Sequence, residues 1–597
     1  MIKVSDYIAK YVVSRGISAC FTVTGGGAMH LNDSFGHQEG ISCLYQHHEQ
    51  AAAIAAEGYA RVENRPALLC VTTGPGGTNA LTGVLGAYLD SVPMLVISGQ
   101  VRYDTTVRST GLNLRSLGDQ EFDITKAAQT MTKYAEMVIE PERIKYCLDK
   151  AFYLMMTGRR GPVWLDIPMN VQGAFVDEDK LSGFEEETDD PGITEECVLE
   201  IIEKIKAAKR PVIYPGNGVR LAGASELLLK VIDKLNIPVV TTWDGIDAIY
   251  DAHPLYTGRA GNMGDRAGNF AIANSDLIFA LGNRLSIRQV GFNYKSWARE
   301  AYVIANDIDP EELKKPTIHV EMAVPGDAKE LLEALDKLLP SGKLFKGEDW
   351  LSSCRTWREK YPVVTEKHRE QKETPNVYAV IEKISEKLSE NTITVVGNGS
   401  ACVVGSQAFI IKKGGRFIVN SAVASMGYDL PAAIGASIAA KRAVVLITGE
   451  GSIQMNLQEL QTIVHHKLPI KIFLINNGGY HSIRQTQRNF FKESLVGVGT
   501  DSGDLSFPDM EKLSWAYGIG YAKLNDPAKM DETIEGFLNG ESPAILEIFV
   551  DTDQNFEPKS ASRKLPDGSM VSSPLEDMAP FLPREEFLEN MKISHKE

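Results

Sequence analysis

The sequence predicts an α/β protein made of three doubly wound parallel-sheet domains followed by a C-terminal tail. Short apolar runs rich in β-branched residues alternate with amphipathic helical segments along the chain. This alternation is typical of parallel strands connected by helices. The chain has 597 residues, which is too long for one hydrophobic core, so several domains are expected.

The composition excludes several classes of protein. The chain is 43% apolar and 23% charged with a formal net charge of −16, which is typical of a globular protein, argues against nucleic-acid binding and favours a cytoplasmic enzyme. Its 7 cysteines contain no C-x-x-C pair, so we predict neither a disulfide framework nor a zinc site. The N-terminus does not resemble a signal peptide, and no apolar run approaches about 18 residues, so no membrane span is expected.

Changes in composition divide the chain into blocks at 1–178, 192–340 and 375–550, followed by a tail at 551–597. The acidic, turn-rich stretch from Asp177 to Pro191 is a predicted linker, and the polar stretch 342–374 is a second predicted boundary. The tail contains five prolines between positions 558 and 583. Since proline interrupts strand ladders, we expect an extended tail with short helices.

In the first block, two glycine-rich turns follow apolar strands, at 24–27 and 73–79. Glycine at such positions lets the backbone approach a ligand closely. The run from His47 to Arg61 is rich in alanine and predicts a helix packed closely against a neighbour. Gln120 lies in a polar segment, Gly-Asp-Gln-Glu at 118–121.

The third block carries the most informative segment, from Gly449 to Asn477. A strand ends in Gly-Glu-Gly-Ser at 449–452, and the next strand ends in Asn-Asn at 476–477. Backbone N–H groups beside a carboxylate at a helix N-terminus suit a diphosphate and a divalent cation. The second strand end adds carboxamide oxygens as further metal ligands. For this segment alone, an ordinary strand–turn–helix without a ligand is the alternative.

These segments resemble the motifs of thiamine diphosphate (ThDP) enzymes. The three blocks together resemble, over nearly the whole chain, the acetohydroxyacid (acetolactate) synthase branch of that superfamily. One departure is Glu450, which stands where the family usually has aspartate and places the carboxylate one methylene further out. The resemblance implies a pyrimidine-binding domain at 1–178, a Rossmann-like central domain at 192–340, a diphosphate-binding domain at 375–550, and a tail that folds over the active site.

The resemblance implies ThDP and Mg²⁺ as cofactors and assigns roles to individual residues. Glu49 matches the glutamate that shares a proton with the pyrimidine ring, and Met426 matches the apolar residue that bends the cofactor. Gln120 matches a glutamine that points at the reacting centre. A solvated helix carboxylate, a core methionine and a polar surface turn are the respective alternatives. The implied catalytic set is Glu49, Gln120 and Gly26; the implied ThDP-binding set is Met426, Gly399, Ser400, Gly451, Ser452, Gly76 and Asn79; the implied metal ligands are Glu450, Asn477 and the carbonyl of Gly479.

The second block contains segments similar to those that hold FAD in acetohydroxyacid synthases. The implied FAD-binding residues are Gly216, Gly218, Asn283, Arg284 and Asp309. No complete dinucleotide fingerprint is present. ADP, or a central domain without a ligand, therefore remains an alternative to FAD.

Departures from the synthases bear on the substrate. Thr486 stands where they have a tryptophan that shapes the acceptor pocket, and Tyr480, His481 and Ser482 replace a Leu-Gly-Met-like run. The extra space and hydrogen-bonding groups favour an acceptor larger and more polar than a second small 2-oxo acid. Arg284 matches an arginine that contacts the acceptor carboxylate. His481, Thr486 and Arg284 are therefore the candidate substrate residues.

We therefore predict an acetolactate synthase-like carboligase. It decarboxylates a 2-oxo acid, with pyruvate as the expected donor, and adds a hydroxyethyl carbanion to an acceptor carbonyl. One alternative is two-carbon transfer to a keto-sugar nucleotide, suggested by Thr486 and by the basic tail residues Lys559, Arg563 and Lys564. Another is a simple 2-oxo acid decarboxylase or C–C lyase. The family arrangement implies a homodimer or homotetramer with shared active sites.

Overall fold

A computed structural model of the chain describes residues 1–186, 192–491, 494–564 and 567–593. It contains three α/β domains, each built around a six-stranded sheet in which every pairing is parallel. The predicted fold class is confirmed. Part of the predicted linker, residues 187–191, lies outside the described residues.

The first domain is a parallel sheet covered by helices on both faces. Its strands, in spatial order, are Ser42–Tyr45, Ala19–Thr22, Ala67–Val71, Met94–Gln100, Val163–Pro168 and Ala135–Met137. Its helices are Val4–Ser14, Met29–His37, Glu49–Glu63, Pro75–Leu89, Val107–Thr110, Ile124–Ala128, Ile144–Met156 and Met169–Gln172. The short strands Ile2–Lys3 and Phe175–Val176 pair antiparallel and bring the two ends of the domain together.

The third domain repeats the strand order of the first. Its strands, in spatial order, are Arg416–Val419, Ile393–Val396, Val444–Gly449, Ile470–Asn476, Ala544–Phe549 and Gly520–Leu524. Its helices are Val377–Lys387, Ser400–Ala408, Asp429–Ala440, Glu450–Ile453, Leu460–His466, His481–Phe491, Met510–Tyr517 and Met530–Asn539. When the strands of each sheet are numbered along the chain, both orders are 2-1-3-4-6-5. The order reverses beside the first strand, which is where ligands bind in such sheets.

The central domain has the strand order 3-2-1-4-5-6, the order of dinucleotide-binding folds. Its strands, in spatial order, are Tyr256–Arg259, Val239–Thr241, Pro211–Pro215, Leu277–Leu281, Tyr302–Asp307 and Met322–Pro325. Its helices are Glu195–Ala207, Gly218–Leu221, Ser225–Leu235, Arg266–Asn274, Ile287–Val290 and Ala328–Leu338.

The segment predicted as a polar boundary, 342–374, contains the helices Glu348–Lys360 and Glu366–Arg369. The first of these buries Trp350 and Trp357 in the core of the central domain. This core therefore extends past residue 340, because two indoles on one face of a largely polar helix are enough to dock it.

The first and third domains share one hydrophobic core. The helix Glu49–Glu63 packs against the helix Asp429–Ala440 so closely that a Cβ atom at Gly58 or Gly435 would collide with backbone atoms of the facing helix. The close packing predicted for the alanine-rich helix is thus observed, and its partner is in the third domain. Buried helices with small residues allow the two backbones to approach in this way.

The C-terminal tail packs mainly on the central domain. After a hairpin of Ser562–Lys564 with Met570–Ser572, it ends in the helix Arg584–Asn590. Leu575 and Phe587 join the central core, and Trp357 Nε1 donates to Asn590 Oδ1 at 2.8 Å. The side chains of Arg563 and Lys564, two of the basic tail residues that suggested a keto-sugar nucleotide acceptor, lie outside the described residues. Among the described helices, none has both the length and the apolar character needed to cross a membrane.

Candidate active site

A cavity of about 370 Å³ opens at the carboxyl edge of the third sheet. It lies where the strand order reverses, between the ends of the strands Ile393–Val396 and Val444–Gly449. The predicted residues of the third block that line it are Gly399, Ser400, Met426, Glu450, Gly451, Ser452, Asn477, Gly479 and His481. The fold thus gathers segments separated by more than 80 positions, from Gly399 to His481, around one cavity.

Two oxygen-bearing side chains in this cavity fit a divalent cation. Glu450 is 2% exposed, and burial raises the pKa of its carboxyl to about 7. Its Oε1 accepts a 2.6 Å hydrogen bond from the Gly479 amide. Asn477 donates through Nδ2 to Ser400 Oγ at 3.0 Å, while its Oδ1 is buried without a partner among the described residues. A buried amide oxygen without a donor is costly, and an oxygen-seeking cation beside the carboxylate would satisfy it.

The same cavity has room for an anionic group close to the backbone. Gly399 has φ +76°, and a Cβ built on it would meet no atom within 4 Å, so the open side of this residue faces free space. The helix Ser400–Ala408 begins immediately after it, and its first backbone N–H groups have no partner within the helix. Helix N-termini of this kind favour phosphate groups.

Met426 is carried by a turn that is fastened to the cavity wall. The amide of Gly427 donates to Ser452 Oγ at 3.1 Å, and its carbonyl accepts from Asn456 Nδ2 at 2.7 Å. Ser452 therefore contacts the methionine turn directly. The position of Met426 is set by these backbone bonds and not by packing of a flexible thioether alone.

Glu49 lies at the first position of the helix Glu49–Glu63 in the first domain and is 9% exposed. Its Oε2 accepts from Asn79 Nδ2 at 3.0 Å, and a Cβ atom at Gly76 would lie 3.7 Å from its Oε1. The structure thus brings together three predicted residues of the first block, Glu49, Gly76 and Asn79. The carboxylate is nearly buried but makes no ion pair among the described residues, which is unusual for a purely structural acid.

Gln120 is held in an uncommon backbone conformation beside this glutamate site. Its φ is +62°, in the left-handed region that non-glycine residues rarely adopt. Thr73 Oγ1 lies 3.3 Å from its carbonyl oxygen and 2.7 Å from Gln100 Oε1. A Cβ atom at Gly74 would be 2.7 Å from the same carbonyl oxygen, so only glycine allows this contact. Such strain persists when neighbouring structure holds the residue in place, and it concentrates at functional sites.

The glycine turn that includes Gly26 packs on Thr73 and its neighbour Thr72. Cβ atoms at the flanking glycines, Gly25 and Gly27, would collide with Thr72 and Thr73 respectively, whereas a Cβ atom at Gly26 would meet open space. Gly26 is therefore the member of the turn that is free to face a ligand. Neither Glu49 nor Gln120 lines the cavity of the third domain. A single chain thus presents two separate groups of candidate residues.

A second cavity lies at the reversal point of the central sheet. Gly216, Gly218, Asn283 and Arg284 line it, together with Asp307 and with Arg159 and Arg160 from the first domain. Burial raises the pKa of Asp307 to about 6. Asp309, predicted to contact a flavin, is not among its lining residues; its carboxylate accepts from the Glu311 amide at 3.0 Å and shapes the adjacent turn.

Comparison with known families identifies the family to which the chain belongs. Three family descriptions match the chain: the N-terminal TPP binding domain of thiamine pyrophosphate enzymes at residues 2–127, the central domain at 198–335 and the C-terminal TPP binding domain at 397–548. This chain belongs to the thiamine pyrophosphate enzyme family. The predicted family resemblance is confirmed.

Several curated relatives of this thiamine pyrophosphate enzyme are acetolactate synthases. It is 31% identical over 558 residues to the acetolactate synthase large subunit of Lactococcus lactis, covering 93% of each chain. It is 30% identical over 582 residues to the large subunit of acetolactate synthase isozyme 2 of Escherichia coli, covering 96% of this chain and 100% of that protein. The chloroplastic acetolactate synthase of Arabidopsis thaliana is 31% identical over 563 residues, covering 92% of this chain and 81% of the relative.

The candidate substrate residues of this thiamine pyrophosphate enzyme lie in different places. His481 lines the cavity of the third domain, and its Nε2 lies 2.5 Å from the carbonyl oxygen of Gln554, which also accepts from Gln485 Nε2 at 2.7 Å. Burial lowers the pKa of His481, so the ring is neutral near pH 7. Thr486 is exposed on the helix His481–Phe491, and its Oγ1 donates to the Ser482 carbonyl at 3.0 Å. Arg284 lines the central cavity instead.

One residue beside the cavity has no counterpart in the sequence predictions. Arg484 is 1% exposed and donates to the carbonyl oxygens of Asn477 and Gly478, each at 3.0 Å. Arginines are mostly exposed in proteins, so the sequence alone favours a surface position. The only feature of the sequence that could have indicated burial of Arg484 is its position, the fourth residue of a helix that follows a glycine turn.

Proposed function

We propose that this chain is a ThDP- and Mg²⁺-dependent carboligase. It decarboxylates a 2-oxo acid, with pyruvate as donor, and transfers the two-carbon unit to an acceptor carbonyl. The observation that carries this proposal is the cavity in which a buried carboxylate, Glu450, and an unpartnered buried amide oxygen of Asn477 lie beside Met426. Family membership and acetolactate synthase relatives support it.

In this proposal, each group of residues has a separate task. Glu450, Asn477 and the Gly479 carbonyl hold Mg²⁺, and the backbone at Gly399–Ser400 and Gly451 holds the diphosphate. When bound, ThDP would supply the nucleophilic carbon needed for chemistry at the keto group of the donor. Glu49 exchanges a proton with the pyrimidine nitrogen, a task suited to a nearly buried carboxyl that has no ion-pair partner among the described residues.

We further propose that the catalytic unit is a homodimer with shared sites. Glu49 and Gln120 do not line the cavity that contains Met426 in the same chain. Apolar side chains around Gln120 are exposed, with Leu112 63%, Leu117 50% and Phe122 42% exposed. A second subunit that covers this patch with its third domain would bury these side chains and complete the site.

A mixing experiment tests the shared site. Subunits carrying Glu49→Gln and subunits carrying Glu450→Gln are each expected to be inactive. After unfolding and refolding together, heterodimers have one site with both substitutions and one site with neither, so activity should return. If the mixture stays inactive while affinity purification of differently tagged subunits recovers mixed dimers, each site is built within one chain.

The central test of the mechanism is Glu49→Gln. Loss of one proton-transfer group is expected to lower pyruvate decarboxylation by 10² or more, whereas ThDP binding measured by titration calorimetry should remain. A variant that retains full decarboxylation would refute the role of Glu49. Asn79→Ala, which removes the only side-chain donor to this carboxylate in the described residues, should give an intermediate loss.

Polar groups in the cavity of the third domain bear on the acceptor. Tyr480, His481 and Ser482 line the cavity, and His481 Nδ1 is buried without a partner among the described residues. These polar groups support a polar acceptor such as a keto-sugar nucleotide. Products formed from pyruvate alone, and then with added keto-sugar nucleotides, distinguish the candidates: an adduct identifies a carboligase, and free acetaldehyde without adduct identifies a lyase.

For the central domain, the 3-2-1-4-5-6 strand order and the cavity at its reversal point support a nucleotide cofactor, FAD in the first instance. The visible spectrum of the purified protein tests this directly. Flavin absorption is expected. A colourless protein that releases ADP on denaturation would identify ADP instead.

A further inference from the structure

Arg484 is one of the largest fully buried side chains described in this chain. It lies in the first turns of the helix His481–Phe491, just after the glycine pair at 478–479. A fully buried guanidinium must have its N–H donors satisfied and its charge neutralised, because desolvation otherwise costs several kcal/mol. The identity of its partners therefore shows what this arginine is for.

The shorter bonds go to backbone carbonyls of the predicted metal-ligand loop and to one carboxylate, and Nη1 makes a longer 3.5 Å contact with the Thr552 carbonyl. Nη1 donates to the Asn477 carbonyl and Nη2 to the Gly478 carbonyl, each at 3.0 Å. Asp501 binds the other edge of the fork, with Nε–Oδ2 at 2.8 Å and Nη2–Oδ1 at 3.1 Å. Arg484 thus joins the end of the strand Ile470–Asn476 to the loop that contains Asp501 with a planar set of bonds.

The loop that Arg484 contacts contains two consecutive glycines, and its other restraints include the Thr500 amide, which donates to the Gly478 carbonyl at 3.3 Å, and the bond from the Gly479 amide to Glu450. Gly478 has φ +72° and Gly479 has φ +148°, both in regions that favour glycine. Two consecutive glycines lose more conformational entropy on ordering than any other pair of residues. Yet the Asn477 side chain and the Gly479 carbonyl must both be placed at the cavity if they are to bind one cation. The bonds from Arg484 fall on the two carbonyls between these ligand atoms.

We propose that Arg484 is a positioning residue that preorganises the 477–479 loop for the cation and diphosphate. This inference rests on the proposed function, since the loop supplies the proposed metal ligands. Arg484 binds the backbone behind the loop and lies outside the ligand set. Its charge is balanced by Asp501, so a dication at Glu450 is not opposed by an unpaired guanidinium.

The chain offers a matched control one turn further along the same helix. Arg488 also approaches Asp501, at 3.7 Å, and pairs with Asp553, but it is 43% exposed. No hydrogen bond from Arg488 to the 477–479 loop is present among the described residues. Arg488→Gln therefore removes an arginine near Asp501 without releasing the loop.

The test compares Arg484→Met, Arg484→Lys and Arg488→Gln with the wild type. ThDP binding is measured by titration calorimetry at a series of Mg²⁺ concentrations, and Mn²⁺ binding is followed by its electron paramagnetic resonance signal. Loss of a residue that orients metal ligands typically lowers metal affinity ~10- to 100-fold. We expect Arg484→Met to raise the half-saturating Mg²⁺ concentration within this range. Lysine cannot reach both carbonyls and Asp501 in one plane, so Arg484→Lys should recover only part of the affinity.

The outcomes separate the inference from the proposed function. If the wild type shows no Mg²⁺-dependent ThDP binding, the proposed function fails and the inference fails with it. If the wild type binds both, and Arg484→Met or Arg484→Lys matches Arg488→Gln in metal affinity, the inference alone is overturned. If Arg484→Met does not fold, Arg484→Lys decides by the same comparison. At saturating Mg²⁺ and ThDP, kcat should return close to wild type, which a damaged fold would not allow.

Discussion

Asp90 joins the first domain to the loop that carries Met426, and Asp90→Asn tests that connection. Its carboxylate accepts from Arg61 Nη2 at 2.7 Å and from the amides of Ser421 and Ala422, each at 3.1 Å. Its side chain is 3% exposed, and that of Arg61 is 10% exposed. The substitution keeps the size of the side chain but removes the charge and turns one acceptor into a donor.

The cost of Asp90→Asn follows from these contacts. The new amide group must face either an N–H donor of the loop or the guanidinium, so at least one bond to a charged acceptor is lost, about 1.5–3 kcal/mol. Arg61 also loses one of its two buried carboxylate partners but keeps Glu57, at 2.6 Å. We therefore expect a total near the lower end of the 3–5 kcal/mol found for a broken buried pair. If the first and third domains unfold together, as their common core suggests, roughly 350 residues are involved and Tm falls by about 4 °C.

The assay is thermal unfolding of the apo protein, followed by ThDP titration. Asp104→Asn is the control, since Asp104 pairs with Arg102 on the surface, where both side chains are more than half exposed, and such pairs contribute little. Asp90→Asn should also weaken ThDP binding, because Ser421 and Ala422 lead into the turn of Met426. A Tm within about 1 °C of wild type, with unchanged ThDP affinity, would refute the reasoning.

Three further predictions concern other buried contacts. Burial raises the pKa of Asp166 from 3.8 to about 7. Between these values the folded state keeps a proton that the unfolded chain releases. The free energy of unfolding therefore falls as pH rises from about 4 to 7, by ~4 kcal/mol at most. Denaturant unfolding of Asp166→Asn across this window should show a flatter profile; an unchanged slope would contradict it. Gly74→Ala places a methyl group against the Gln120 carbonyl and should lower kcat, whereas Gly111→Ala, also at positive φ but with open space around it, should not. Glu576→Gln weakens the buried 2.7 Å pair with Arg299 and should speed limited proteolysis of the tail without slowing that of the first domain.

Local pattern was enough to predict the fold class and the groups at the strand ends of the third domain, whereas the candidate residues of the first domain were implied by the family resemblance. The strands end in recognisable turns, and the carboxyl ends of neighbouring parallel strands lie at one edge of a sheet. For this reason Glu450 and Asn477, 27 positions apart in the sequence, line one cavity as expected. Glu49, Gly76 and Asn79 meet at the edge of the first sheet for the same reason.

Contacts between distant segments were beyond local pattern. Arg484 and Asp90 look like surface charges in the sequence, and only the packing of loops from other parts of the chain buries them. The packing of the tail on the central domain, where Leu575 and Phe587 find apolar partners, was also not evident from local pattern. Its role over the active site stays a prediction. The helix Glu348–Lys360 was expected to belong to a polar boundary because most of its residues are polar. Its two buried tryptophans are a minority of the sequence, but they are enough to dock the helix.

By itself, therefore, the sequence determined the three-domain α/β architecture and the chemical groups at each strand end, since both depend on residues near one another in the chain. The tertiary structure decided which of those groups share a cavity: Met426, Glu450 and Asn477 do, whereas Glu49 and Gln120 form a separate group. It also decided which charges are buried and what they hold. The physical reason is that burial and charge pairing are properties of surfaces that meet on folding, and their free energies depend on partners far away in the sequence.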